Sequence, residues 1–194
     1  MRKSELTRKT KETDIKINIA FDGEGKSSIN TGIPFLNHMF ELFARHGFFD
    51  LDIYAKGDIE VDYHHTIEDI GIVLGDAIKK ALGTKKGINR YGFFILPMDE
   101  ALAVVSLDLS GRPYLAYDVK VPVESVSGID VRLFHEFFQA LVVNAGITLH
   151  IKLLAGEEAH HIFEAIFKAF SKALNQAASE NPKIKDVLST KGIL

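Results

Sequence analysis

Two copies of one short motif, His-His-x-x-Glu, stand 96 residues apart in a chain of 194. They are His64-His65-Thr66-Ile67-Glu68 and His160-His161-Ile162-Phe163-Glu164. A repeat at half the chain length points to internal duplication, and a duplicated chain of this size folds as two like units around a shared core. The flanks agree. Phe48-Phe49-Asp50-Leu51-Asp52-Ile53 lines up with Gly146-Ile147-Thr148-Leu149-His150-Ile151. Each segment follows an aromatic-rich helical pattern and precedes a glycine, then a His-His helix.

Hydrophobic periodicity supplies the elements. Residues 14–20 alternate with period two, as a half-buried strand does. Asp22-Gly23-Glu24-Gly25 is a turn, and 27–30 a short returning strand. Pro34 suits the first turn of a helix that runs to about His46 and stops at Gly47. A strand over 48–55 follows. Asp62 or Thr66 is placed to cap the next helix, which ends at Leu82-Gly83. Strands are then expected over 93–96, 101–109 and 114–121, a helix over 129–145, a strand over 147–153 and a long helix over 158–179. The order strand-strand-helix-strand-helix therefore occurs twice. The expectation is one compact α+β domain over 1–194, with repeats at 1–93 and 94–180 and an aperiodic tail or lid at 181–194. The charged stretch from Arg2 to Asp14 reads as an arm.

Composition narrows the chemistry. There is no cysteine, which removes disulfides, thiolate zinc sites and cysteine nucleophiles together. The net charge of -3 offers no nucleic-acid surface and no attraction to anionic membranes. No apolar run approaches the ~18 residues of a membrane span, and no apolar leader opens the chain. A cytoplasmic protein is expected.

The His pairs are the candidate metal ligands. On a helix, positions i and i+3 or i+4 share a face, so Glu68 can join His64 or His65, and Glu164 can join His160 or His161. Adjacent histidines diverge by about 100° around the axis, so each pair serves two metals, one imidazole each. Imidazole and carboxylate without thiolate suit Mn, Fe, Zn, Co or Ni, and six-coordinate mixed sites favour Mn(II) or Fe(II). The imidazoles bind metal only when neutral. Asp62 and Asp69 are candidates for orienting them. His150, in a strand that leads into a motif helix, is a further candidate ligand. His46 sits at a helix end, where a dipole contact is its plain reading. His135 is set aside, because the repeat alignment matches Glu136, not His135, to His38.

Taken together, these segments resemble imidazoleglycerol-phosphate dehydratase from about Arg8 to Gly192. The likeness rests on Arg8-Lys9-Thr10-Lys11-Glu12-Thr13, Thr31-Gly32-Ile33-Pro34-Phe35-Leu36, Asp62 to Asp69, Gly87-Ile88-Asn89-Arg90-Tyr91-Gly92, Pro97-Met98-Asp99-Glu100-Ala101-Leu102, Asp108-Leu109-Ser110-Gly111-Arg112-Pro113, Thr148-Leu149-His150-Ile151, His160 to Lys168 and Ser189-Thr190-Lys191-Gly192. The resemblance implies two similar half-domains, each a mixed four-stranded sheet with two helices on one face, the helices packed together between the sheets. It implies a hydro-lyase of histidine biosynthesis that converts imidazole glycerol phosphate to imidazole acetol phosphate. Two Mn(II) per subunit would bind the substrate ring as imidazolate, in a homo-oligomer of 24 subunits with sites between subunits. Matched residue by residue, the metal ligands would be His38, His64, His65, Glu68, His150, His160, His161 and Glu164. Arg90, Arg112, Lys168, Ser189 and Lys191 would hold phosphate. Glu12 and His46 would lie at the glycerol portion, with Glu12 the proton carrier. Asn37, Glu158 and Leu188 depart from the usual pattern (Asp, Asn and Pro), and none of them removes a ligand. Two other classes use the same metals: a metal-dependent phosphoester hydrolase, and a non-catalytic assembly protein cemented through its His pairs.

Overall fold

A computed structural model describes residues 2–193. The first half holds strands β1 (Lys3–Lys9), β2 (Thr13–Ala20) and β3 (Ser27–Asn30), helix α1 (Pro34–Gly47), strand β4 (Asp50–Gly57) and helix α2 (His64–Leu82). The second half holds β5 (Tyr91–Met98), β6 (Ala101–Asp108), β7 (Tyr114–Asp118), a small hairpin β8 (Ser125–Val126) and β9 (Ile129–Asp130), α3 (Arg132–Ala145), β10 (Thr148–Ala155) and α4 (Ala159–Ala178). The two main sheets have the same topology. One is ordered β1-β2-β4-β3, the other β5-β6-β10-β7. In each, the outer hairpin and the middle pairing are antiparallel, while β3 lies parallel to β4 and β7 parallel to β10.

Each sheet buries one face. In β2, Ile15, Ile17 and Ile19 point inward, and in β6 Ala103, Val105 and Leu107 do so. The four helices fill the space between the sheets, with α2 against α3 and α1 against α4. The expected fold class is therefore the observed one. A parallel strand pair joined through a helix turns the chain back on the sheet, so both helices of each half run opposite to the strands that feed them. All four helices consequently point the same way. Phe35 meets Phe134 and His160, Phe40 meets Phe137 and Phe167, and Phe43 meets Phe170. Residue number rises together along α1, α3 and α4. Gly71 and Gly75 of α2 meet Phe137 and Leu141 of α3 in the same sense. The four N-termini, and with them both His-His motifs, lie at one end of the helical layer.

Three local features differ from the sequence expectation. The charged arm is an edge strand, β1. Only Ser4 is buried in it, with Leu6 half-buried, and Ser4 Oγ donates to the Ala77 carbonyl. Charge along an outer edge protects it from pairing with other chains, and it also hides the alternation. Helix α3 starts at Arg132 rather than 129, because Ser127 and Gly128 both adopt positive φ (49° and 81°) and close the β8–β9 hairpin. Strand β5 begins at Tyr91, so a boundary at 93/94 falls inside it.

The α2–α3 contact depends on glycine. A Cβ on Gly71 would lie 2.6 Å from the Phe137 carbonyl oxygen, and one on Gly75 2.6 Å from that of Leu141. Glycine costs a helix interior about 1 kcal/mol relative to alanine, so Gly75→Ala should stabilise an isolated helix. Here the backbones must part, and overpacking of this kind costs about 1–3 kcal/mol. Gly75→Ala is therefore expected to lower the urea midpoint, and a raised midpoint would show that the helices separate freely.

Candidate functional site

The sequence puts His160 at the start of α4 because Glu158 ends the preceding loop as an N-cap. Its carboxylate accepts from the backbone N–H groups of His160 (3.1 Å) and His161 (2.9 Å). At α2 the corresponding bond runs from the His64 N–H to Asp62 Oδ1 (2.7 Å). The N-cap itself is Tyr63, which has no side-chain cap, so neither Asp62 nor Thr66 is the capping residue, although Asp62 accepts this one bond. Asn37, at the start of α1, accepts from the backbone N–H and the hydroxyl of Thr31, which pins the loop entering that helix.

Among the described residues, one group of three metal-type donors converges: His38, His160 and Glu164, with one ligand atom of each within 4.8 Å of the others. Glu164 Oε1 lies 3.0 Å from His38 Nε2 and 2.9 Å from His160 Nε2. Its other oxygen accepts from Lys168 Nζ. Burial pushes the Glu164 carboxyl up, but hydrogen bonds from Lys168 and His38, the Lys168 charge and His160 outweigh it and hold the group down at about 2. The donor set, two imidazole nitrogens and a carboxylate that stays ionised, fits a borderline or hard divalent cation such as Mn(II).

The internal repeat carries this cluster onto the other half. His160 and Glu164 map to His64 and Glu68, and His38 maps to Glu136. His64 Nε2 lies 3.4 Å from Glu68 Oε2. Glu136 matches His38 in the alignment, but its carboxylate lies 3.2 Å from His135 Nδ1, and no third donor joins His64 and Glu68 among the described residues. The remaining imidazoles turn away, as the 100° offset required. His65 Nδ1 is 3.0 Å from Asp58 Oδ2, and this contact raises the His65 pKa. His161 Nδ1 is 2.8 Å from Glu100 Oε2, which raises that of His161 and, with the backbone N–H of Glu158, lowers that of Glu100 to about 2. The spacing of the motifs gave no sign of Asp58 or Glu100, since both come from loops.

His150 does not join either group. Leu149 and Ile151 point into the core, so His150 faces the outer side of its sheet beside Tyr114. Asp69 does not orient an imidazole either. It accepts from Arg8 Nε (3.0 Å) and the Thr13 hydroxyl, which clamps the β1–β2 hairpin to α2. That hairpin presents Glu12, and the Glu12 carbonyl accepts from the Asp58 N–H (3.1 Å).

The expected phosphate residues lie at the far end of the layer. The Arg90 N–H bonds to the carbonyl of Ala177, in the last turn of α4. Its guanidinium donates to both oxygens of Asp108 (2.7 and 3.0 Å) and to the Leu188 carbonyl (2.6 Å), which fastens the tail. Arg112 lies 3.9 Å from the same Asp108, with a side chain 70% exposed. Of these two forks, that of Arg112 is the open one. Ser189 and Lys191 follow the fastened Leu188, with the Lys191 N–H bonded to Ser189 Oγ (3.2 Å). Within this chain Lys168 stands apart from the other expected phosphate residues. It is nine residues from Ala177 along α4, about 13 Å of helix, and is paired with Glu164. His46 lies near Lys168 and Lys172. Burial and these two cations lower its pKa and favour the neutral ring.

Fold and site define a duplicated α+β protein with a convergent His/Glu donor group at one end of its helical layer and two arginines, Arg90 and Arg112, at the other. The comparisons say which such protein. A family model described as imidazoleglycerol-phosphate dehydratase matches residues 31–174. The chain is 58% identical over 193 residues to the imidazoleglycerol-phosphate dehydratase of Acetivibrio thermocellus, and 54% identical to that of Geobacter metallireducens, each alignment covering 100% of this chain and 99% of the relative. Among solved structures, the Staphylococcus aureus dehydratase superposes with a TM-score of 0.84 at 44% identity, over 92% of this chain and 99% of that one. The Pyrococcus furiosus enzyme, in complex with (S)-C348, gives 0.84 at 42%, over 97% and 100%. The chain belongs to the imidazoleglycerol-phosphate dehydratase family.

The depressed Glu164 pKa has a consequence for metal-free protein. A carboxyl whose folded pKa is lowered from 4.5 to about 2 adds stability above pH 4.5, and that stability is lost as pH falls toward 2. Glu164→Gln, compared with wild type in chelator, is expected to be less stable at pH 7 by at most about 3 kcal/mol. The gap should narrow between pH 4.5 and 3 in denaturant titrations. A gap independent of pH would mean that the Glu164 charge carries none of it.

Proposed function

We propose that the chain dehydrates imidazole glycerol phosphate to imidazole acetol phosphate, a step of histidine biosynthesis, using two Mn(II) per subunit in sites shared between subunits of a 24-subunit homo-oligomer. One observation carries the sharing. Along α4, His160 and Ala177 are 17 residues apart, about 25 Å of helix. The donor groups sit at one end and Arg90 and Arg112 at the other. A substrate whose ring and phosphate are joined through three carbons, at about 1.5 Å per bond, cannot reach across. Ring and phosphate must therefore be held by different chains.

Within one chain, His38, His160 and Glu164 would hold one metal, and His64 with Glu68 would supply part of the other. His65 and His161 face away from these clusters and would complete the neighbours' sites. His150, exposed on the outer face of its sheet, would likewise complete a neighbour's site. The bound metals would supply Lewis acidity and an orienting template, holding the substrate imidazole as imidazolate. The protein's own groups do the rest. Glu12, on a hairpin clamped by Arg8 and Asp69, would take the proton from the unactivated carbon as hydroxide leaves the ring-side carbon. It would return that proton to the ring-side carbon while the enol's hydroxyl proton converts the hydroxide to water, leaving the ketone. Neutral His46 would hold a hydroxyl of the glycerol chain. Lys168 keeps Glu164 ionised and presents its ammonium at the metal end. Arg112, with Ser189 and Lys191, would grip the phosphate of a substrate whose ring lies on a neighbour, while Arg90 holds Asp108 and the tail in place for it.

Two tests follow. The purified protein with Mn(II) should form the acetol phosphate without releasing inorganic phosphate, and phosphate release without dehydration would favour a hydrolase. Glu12→Gln and Arg112→Ala, each inactive or nearly so alone, should regain activity when coexpressed, because mixed assemblies contain sites with both wild-type groups. Coexpressed subunits that assemble but stay inactive would place both residues on one chain.

A further inference from the structure

The two long hairpins, β1–β2 and β5–β6, are repeat mates. The first strand of each ends opposite the start of the second, and the turns are Lys11-Glu12 and Asp99-Glu100. Glu12 and Glu100 therefore occupy the same position in the two halves, next to His65 and His161 respectively. Their surroundings have diverged. Glu100 is fully engaged: one oxygen accepts from His161 Nδ1 (2.8 Å), and the other accepts from the backbone N–H groups of Glu158 (2.9 Å) and Glu157 (3.3 Å). Glu12 has no side-chain hydrogen bond or ion pair recorded among the described residues. The bond that Glu100 makes to His161 is made to His65 by a different residue, Asp58, at 3.0 Å. Asp58 lies in the loop after β4, directly after Gly57, whose mate in the second half is Gly156.

We propose that Glu100 is a positioning residue that turns Nε2 of His161 toward its metal, that Asp58 performs this task for His65, and that the exchange leaves Glu12 unbonded and available for proton transfer. The inference rests on the metal reading above. A carboxylate on Nδ1 fixes the tautomer with the proton on Nδ1, so that the Nε2 lone pair is the one offered. It also locks the ring plane. The first half receives this bond from a loop rather than from the hairpin, so its hairpin carboxylate is spared. In the second half the hairpin carboxylate is consumed. Two copies of one ancestral arrangement thus give one metal-supporting glutamate and one chemical glutamate, and proton transfer has one carrier per duplicated chain rather than two.

The test is a double-mutant cycle read by Mn(II) affinity, using electron paramagnetic resonance of the assembled protein. Glu100→Ala and Asp58→Ala are each expected to weaken Mn(II) binding by about 10–100-fold. Glu12→Gln should leave it unchanged while abolishing turnover. Combining Glu100→Ala with His161→Ala should cost no more than His161→Ala alone, because Glu100 acts through that ring. Unchanged affinity in Glu100→Ala, or additive losses in the double variant, would overturn the positioning role and leave the metal site standing. Full Mn(II) affinity in His161→Ala would overturn the metal reading and this inference together. Glu100→Gln keeps one acceptor oxygen, and its partial recovery of affinity would separate positioning from simple loop damage.

Discussion

Four helices packed side by side with their N-termini at one end are the constraint on which everything else depends. Their dipoles are aligned, each equivalent to roughly half a positive charge at the N-terminus and half a negative charge at the C-terminus, which disfavours the arrangement. Aromatic packing offsets that cost. Phe134 stacks on Phe163 with centroids 3.8 Å apart, and Phe40, Phe137 and Phe167 interlock behind them. Each such ring contributes roughly 1.5–3 kcal/mol when fully buried. The ends are dressed to suit: carboxylates Glu158, Glu164, Asp62 and Glu68 lie near the positive pole, and Arg2 donates to the Ala178 carbonyl at the negative one. The same polarity puts both His-His motifs on one pole and the arginine site on the other.

Much of this was legible. A motif repeated at half the chain length announces a pseudo-twofold, and the strict alternation in β2 and the helical patterns around the Phe residues fix most elements. What escaped had physical reasons. Strand β1 carries charge outward on an edge, so its pattern is not apolar alternation. The β8–β9 hairpin is only two residues per strand, signalled by Ser127-Gly128 and hidden beneath a helical pattern. His150 lies in a strand that feeds a motif helix, and the outer face to which strand parity turns it is visible only once the sheet is built. Lys168 and Arg90 are joined in the expected phosphate set, and helix rise separates them within one chain, a distance that residue types do not record. Glu100 and Asp58 reach the histidines from distant loops, and one-dimensional spacing carries no record of such contacts.

The repeat is most informative where it fails. His38 against Glu136 is a substitution between halves that share a backbone, and Glu12 against Glu100 is one residue type in two different surroundings. Topology was kept because the sheets and the helix interface tolerate little change, as the close approach of Gly71 and Gly75 to α3 shows. Side chains at the poles bear no such packing burden, and there the two copies specialised.

Placing the donor pole and the anion pole at opposite ends of one rigid layer has a consequence for inheritance. Under the proposed arrangement each polypeptide contributes to more than one reaction centre, so a defective copy is incorporated into its neighbours' centres as well as its own. In a cell expressing two alleles, a fold-competent but chemically broken subunit would act as a dominant poison, whereas one that cannot fold would be silent. Selection on such a chain acts on the population of subunits, and the severity of a lesion is set by whether it spares assembly.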